Sequence, residues 1–191
     1  DGTATVTIQT QDSGNWWQHK MVKIAELPGD SPIAGSWYLS NELESMGVGP
    51  EEFDTQWWFN NDVINTERAC WFDDEYLFGA DGSFTINHDD STWIEGWQGA
   101  DVVDACGSPV SPHSGSQASF VYDGDGETLT LNGVGAYIGL PKVTNTGELG
   151  SPDAAPASLQ YNAYLDEDTG KFTLTIQTSD SGNWWQFVLV R

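Results

Sequence analysis

Gly170 to Arg191 reads GKFTLTIQTSDSGNWWQFVLVR, and Gly2 to Lys23 reads GTATVTIQTQDSGNWWQHKMVK, a gapless self-match. Fourteen of the twenty-two positions are identical. Chance does not produce that, so the earlier stretch reads as the closing segment of a preceding copy of the same domain, offset by 168 residues. In both copies apolar and polar positions alternate. Val6, Ile8 and Thr10 fall on one face and Thr5, Thr7 and Gln9 on the other, before Asp12-Ser13-Gly14-Asn15 turns the chain into Trp16-Trp17-Gln18. That pattern is a β-hairpin. The chain therefore divides into residues 1–24, a closing hairpin of a preceding repeat or a strand-exchange segment, a linker at 25–34, and one β module at 35–191. The linker reading rests on Glu26 to Gly35, ELPGDSPIAG, with two Pro and two Gly in ten residues. A hairpin away from its parent sheet leaves unpaired edges and one apolar face, so Val6, Ile8, Trp16 and Trp17 are the expected assembly residues, docking on this chain or on a neighbouring copy.

Outward from the closing hairpin, strand signals recur at Ser36 to Ser40, Gln56 to Phe59, Ala69 to Phe78, Ser83 to Asn87, Ala118 to Tyr122, Thr128 to Asn132, Ala136 to Leu140, Ser158 to Leu165, Phe172 to Thr178 and Trp184 to Val190. No segment holds a helical period. Ala80-Asp81-Gly82, Asp123-Gly124-Asp125-Gly126 and Asp168-Thr169-Gly170 place Gly where a hairpin reverses with positive φ. The class is all-β: an antiparallel up-and-down barrel or closed β-sandwich of lipocalin-like character, with a jelly roll as the alternative. Asn41 to Thr55 and His88 to Gly115 are too long for hairpin turns and belong at the surface as functional loops or caps.

The 191 residues fit one domain, and 29 acidic against 6 basic side chains leave a net charge of −23. Ten Trp and an aromatic content of 13% supply a core, so the acidity does not signal disorder. Such a surface repels phosphate backbones and anionic lipids, which excludes nucleic acid as a partner. No apolar run approaches the roughly 20 residues of a membrane span, so membrane insertion is excluded too, and any export signal is expected to have been removed. Cys70 and Cys106 close a loop of 36 residues if they pair. A disulfide is the favoured reading over two free thiols, and zinc lacks the usual ligand spacing. An oxidised pair and strong acidity point to an extracellular setting, secreted or attached to an outer surface.

Three Trp-Trp pairs occur, and adjacent residues on a strand point to opposite faces, so one of each pair can be core and the other cannot. Trp57-Trp58 lies among Asp54, Gln56, Asn60, Asn61 and Asp62, too polar for a core strand. Trp93 and Trp97 bracket Glu95 and precede Gln98 in Thr-Trp-Ile-Glu-Gly-Trp-Gln-Gly. A sugar ring stacks its axial C–H bonds on an indole and needs carboxylate, amide or guanidinium partners for its hydroxyls. Trp57, Trp58, Trp93 and Trp97, with Glu95, Gln98, Asp54 and Arg68, are the expected glycan site; the plainer reading is that these indoles cap a barrel end. Arg68 is expected to pair with Asp73 or Asp74, or to clamp sugar hydroxyls. A glycosidase would need two carboxylates facing across a cleft, which nothing here marks, so no catalytic residue is assigned. No cofactor is called for. Calcium is the one ion the acidic composition would suit, near Asp89, Asp90, Asp101 or Asp104, whereas Asp123 to Glu127 lacks the distal Glu of a calcium loop and reads as a turn. His113 reads as a loop residue or a sugar contact.

Arg68 to Phe84 (RACWFDDEYLFGADGSF), Thr92 to Gly99, Cys106 to Ser116 (CGSPVSPHSGS) and Leu129 to Lys142 (LTLNGVGAYIGLPK) resemble a repeat module of marine Bacteroidetes surface proteins, over about Gly35 to Arg191. Members of that family occur in tandem or beside laminarinase-type hydrolases and polysaccharide-utilisation proteins. The resemblance implies a non-catalytic module binding polysaccharide, with a β-glucan such as laminarin as ligand, or an adhesive role. Glu42-Leu43-Glu44 and Phe59 depart from the family pattern beside the expected platform. The alternative function is a structural fibre or adhesin subunit that assembles head to tail, its N-terminal hairpin completing the sheet of a neighbouring copy.

Overall fold

A computed structural model describes residues 3–9, 16–22, 31–101, 104–115, 117–178 and 182–191, the first two as backbone strands. In chain order these are β1 (Thr3–Gln9), β2 (Trp16–Val22), β3 (Gly35–Leu39), β4 (Met46–Gly49), β5 (Trp58–Phe59), α1 (Asp62–Glu67), α2 (Ala69–Phe72), β6 (Glu75–Phe78), β7 (Ser83–Asn87) and β8 (Thr92–Ile94). There follow β9 (Ala105–Gly107), β10 (Ala118–Asp123), β11 (Thr128–Asn132), β12 (Val143–Thr144), β13 (Gly147–Glu148), β14 (Ser158–Asp166), β15 (Lys171–Gln177) and β16 (Trp184–Val190).

Eight strands close an antiparallel barrel in the order β3, β6, β7, β10, β11, β14, β15, β16 and back to β3. This is the all-β, lipocalin-like closed barrel expected from the hairpin pattern. Closure rests on β16, which lies against β15 on one side and is shared on the other. Its Leu189 and Val190 pair with Leu39 and Tyr38 of β3, while Trp184 to Phe187 pair with β4. The strand pair β4–β5 thus raises one stretch of rim above the barrel proper. Strands β1 and β2 pair with each other in a separate two-stranded sheet.

Alternation along the strands fills the interior. Trp37, Phe78, Phe84, Leu129, Leu131, Tyr161, Phe172, Leu174 and Phe187 are all buried, and Phe78 meets Phe84 and Phe120 at ring separations of 5.1 and 5.0 Å. The predicted limits of β7, β11 and β16 match the structure. Those of β3, β10, β14 and β15 agree to within one residue at each end, and the other three expected strands depart further. Ala69 to Phe78 splits, because Cys70 is tied to Cys106 and the buried Trp71 indole donates to the Gly139 carbonyl at 3.0 Å, which winds the first four residues into α2. Gln56 to Phe59 contracts to two residues. Ala136 to Leu140 is no strand but a buried plug, its Tyr137, Ile138 and Leu140 side chains enclosed. Irregular backbone inside a barrel needs partners for its polar groups, and two phenols supply them. Tyr161 accepts from the Ile138 N–H at 3.0 Å, and Tyr76 accepts from the Gly139 N–H at 3.1 Å. Burial raises both phenols above their ordinary pKa, so they stay protonated.

Helices of six and four residues are too short to give the periodic signal by which sequence reveals a helix; α1 is instead marked by its cap, Asn61, whose side chain accepts from the Val63 and Ile64 N–H groups. The turn at Asp123 also departs from expectation. Its positive φ falls on Glu127, at 49°, and Asp123 Oδ1 accepts from the Gly126 N–H at 3.0 Å.

Candidate functional site: an aromatic and charged ring at the barrel rim

The excursion between β3 and β6 and the turn after β8 meet above the plug. At their centre is Arg68, at the junction of α1 and α2. Its guanidinium carbon lies 4.3 Å from the Trp93 ring centroid, 5.4 Å from Trp58 and 5.6 Å from Trp71. Three indoles therefore hold one cation, an arrangement worth about 0.5–2 kcal/mol per face. Burial pulls the pKa of Arg68 down, and the negative charges of Glu95, Asp104 and Glu67 pull the other way.

The ring continues from Arg68 through Glu95. Glu95 Oε2 accepts from Trp97 Nε1 at 3.0 Å, and its Oε1 lies 3.2 Å from Lys142 Nζ. Lys142 also reaches Glu148 at 3.5 Å and sits 5.8 Å over Trp185. Trp185 donates to Glu148 at 3.2 Å and packs against Trp58 at 6.0 Å, which returns to Arg68. Beneath, Trp185 stacks on Phe187 and Trp71 bonds Gly139, so the ring is seated on the plug.

Among the described residues the basic groups differ in one respect. Lys142 is paired with carboxylates, Lys171 with Glu42, and Arg191 with the Pro32 and Ala34 carbonyls. The Arg68 guanidinium has no hydrogen bond or ion pair among the described residues, and its buried Nε has no acceptor. The expected partners are not available to it. Asp74 is fully buried and bonded elsewhere, and Asp73 is not within ion-pair distance of Arg68 among the described residues.

The eight expected glycan residues fall into three groups. Trp57 is 54% exposed at the head of β5, and Phe53, four residues earlier, is 52% exposed. Trp58, Trp97, Asp54, Arg68 and Glu95 are half-buried. Trp93 and Gln98 correct the expectation of an open platform: Trp93 is only 8% exposed, with Arg68 over its ring, and Gln98 is buried with its Oε1 accepting the Glu95 N–H. Both are consumed in building the site. Asp54 accepts from the Gln56 backbone and side chain, which shapes the turn before Trp57. Glu52 anchors that loop to the outer wall, its Oε1 accepting from Asn162, Tyr164 and Thr175.

Two buried histidines escaped sequence reasoning as structural groups. His88 Nδ1 lies 2.8 Å from Asp74 Oδ1, and its Nε2 donates to the His113 carbonyl. Asp74 Oδ2 accepts from Thr92 at 2.6 Å. Because the carbonyl can only accept, the second bond requires a proton between Nδ1 and the carboxylate. Burial raises the Asp74 pKa, against the opposing pull of His88 and Thr92. His113 lies in a turn, as a loop residue would, but it is buried and not open to a sugar. It is 3% exposed between Trp97 and Tyr137, and burial together with the nearby His88 lowers its pKa to about 4. No sequence spacing links these residues, which meet only through the barrel.

Cys70 and Cys106 form a disulfide. Among the described residues, no three His, Cys, Asp or Glu side chains gather closely enough to hold a metal ion, Asp89, Asp90, Asp101 and Asp104 included. No described helix is long and apolar enough to cross a membrane. The side chains of Val6, Ile8, Trp16 and Trp17 lie outside the described residues. No protein-family model matches the chain, and neither a curated protein nor a solved structure matches it.

Proposed function

We propose that the chain is a non-catalytic module that binds polysaccharide at this rim, with a β-glucan such as laminarin as the favoured ligand and an oxidising, extracellular setting. The observation that carries the reading is the Arg68 guanidinium, held by three indoles and without a hydrogen bond or ion pair among the described residues. Its donors suit the hydroxyls of a polysaccharide, and the exposed indole of Trp57, next to Trp58 in the chain, offers a stacking face for the C–H bonds of another sugar of the same ligand. Binding by one module is expected to be weak, because few stacked rings must offset the ordering of a flexible glycan, and tandem copies would gain through effective concentration. Affinity electrophoresis against β-glucans, galactans and alginate tests this. Retardation by a β-glucan that is lost in Trp57→Ala supports the reading; indifference to every glycan removes it.

A second reading, a fibre or adhesin subunit assembling through its N-terminal hairpin, is favoured by one observation: β1 and β2 pair in a sheet apart from the barrel. Light scattering across a concentration series tests it, with growth in mass as the supporting outcome and a monomer at every concentration as the opposing one.

A further inference from the structure

Strands β1–β2 and β15–β16 share more than sequence. Ala4 pairs with Met21 and Ile8 with Trp17; at the same offset of 168 residues, Phe172 pairs with Leu189 and Ile176 with Trp185. The two hairpins have one register. The barrel also has a feature that makes the place of β15–β16 reachable from the other end of the chain. Its last strand lies antiparallel to its first, and Arg191 bonds the carbonyls of Pro32 and Ala34, just before β3. A β2 seated where β16 sits would deliver Lys23 to the position of Arg191, and residues 24–31 would need to bridge only a short gap, within the range of an ordinary connection between antiparallel neighbours.

We propose that the chain carries two closing hairpins that compete for one slot in the barrel wall, β15–β16 as the resident and β1–β2 as a spare of lower fitness. The differences between the copies show why the resident wins. The resident's inward side chains Phe172, Leu174, Phe187 and Leu189 are fully buried, and the corresponding residues of the spare are Ala4, Val6, His19 and Met21. In the slot, Ala4 would leave a void beside Trp37 and Phe78, which pack on Phe172, and His19 would bury an imidazole where Phe187 stacks on Trp185. Ile176 and Trp185, by contrast, are retained as Ile8 and Trp17. Strand pairing and turn sequence are thus matched while cavity filling is not, so the resident is favoured although either hairpin can close the wall.

The test uses the whole chain. Asp166 pairs with Lys171, the residue that corresponds to Thr3. Introduced cysteines at Thr3 and Asp166 become neighbours only when β1 takes the place of β15, and with Cys70 and Cys106 in their disulfide they are the only free thiols. A short bismaleimide then reports occupancy. In the T3C/D166C chain the intrachain link is expected in fewer than about one molecule in a hundred; adding A4F, V6L, H19F and M21L, which give the spare the resident's inward side chains, should raise it to about one-fifth to one-half. The grafted chain keeps its original hairpin, so loss of folding cannot mimic the negative outcome. Equal yields in the two chains, or a link found only between molecules in dimers, would overturn the proposal.

Discussion

Replacing Gly139 by Ala places a methyl group at the tip of the barrel plug, where a Cβ would meet the Phe187 ring at 2.2 Å. Gly139 also has φ of +77°, a conformation that costs a residue with a side chain about 1 kcal/mol or more. The ring cannot retreat freely, since Phe187 is fully buried and stacked on Trp185, so overpacking adds about 1–3 kcal/mol. Together these give about 2–4 kcal/mol, which for a chain of this length lowers Tm by roughly 5–15 °C. Urea unfolding followed by tryptophan fluorescence measures it, and a cycle with Phe187→Leu isolates the clash. Relieving the ring should recover at least about 1 kcal/mol of the Gly139→Ala loss. A Gly139→Ala chain within about 0.5 kcal/mol of the parent, or strict additivity with Phe187→Leu, would refute the view that the plug is packed against the closing strand.

Removing the disulfide in a Cys70→Ser/Cys106→Ser chain should cost about 3–4 kcal/mol, from the 36-residue separation it spans, read as a lower denaturation midpoint. His113 gives a pH dependence. Its pKa is about 4 in the folded chain and near 6.5 when unfolded, so the unfolded state takes up the proton first. Its contribution to stability is complete above about pH 6.5 and is lost as pH falls toward 4, by up to about 3 kcal/mol. A His113→Phe chain should show a shallower loss of stability over that interval in denaturant titrations at each pH, and parallel profiles for the two chains would contradict the assignment.

The barrel was legible because its evidence is local. Alternation in β7, β11 and β16 and the turn chemistry between strands need only neighbouring residues, and the repeat announced the closing hairpin twice. The plug was misread because GAYIGL is apolar enough for a strand, and only the distant phenols of Tyr76 and Tyr161 allow it to stay irregular. The site was read in part for a similar reason. Residue types named Trp57, Trp58, Trp97, Glu95 and Arg68, but their division into exposed and consumed groups depends on contacts far apart in sequence. Lys142 reaches Glu95 across 47 residues, and Trp185 reaches Glu148 across 37. Trp93 looked like a platform because an indole beside a carboxylate has the same composition whether a sugar or an arginine covers it. Of the two expectations for Arg68, a sugar clamp or an ion pair with Asp73 or Asp74, the pair rests on nearness in sequence, whereas the chain turns through α2 and delivers Asp74 to His88.

Titration calorimetry with a laminari-oligosaccharide, run on the parent chain, Trp57→Ala, Arg68→Met and Val121→Ala, addresses the rim most directly. Val121 is an exposed apolar residue on β10, outside the ring of Arg68, Glu95, Lys142 and Trp185, and serves as the control. The parent and Val121→Ala should bind alike, while Trp57→Ala and Arg68→Met each lose about tenfold or more in affinity, corresponding to ~1.4 kcal/mol. Heat of binding that is equal in all four chains, or absent from the parent, would contradict a sugar site built on Arg68 and its indoles.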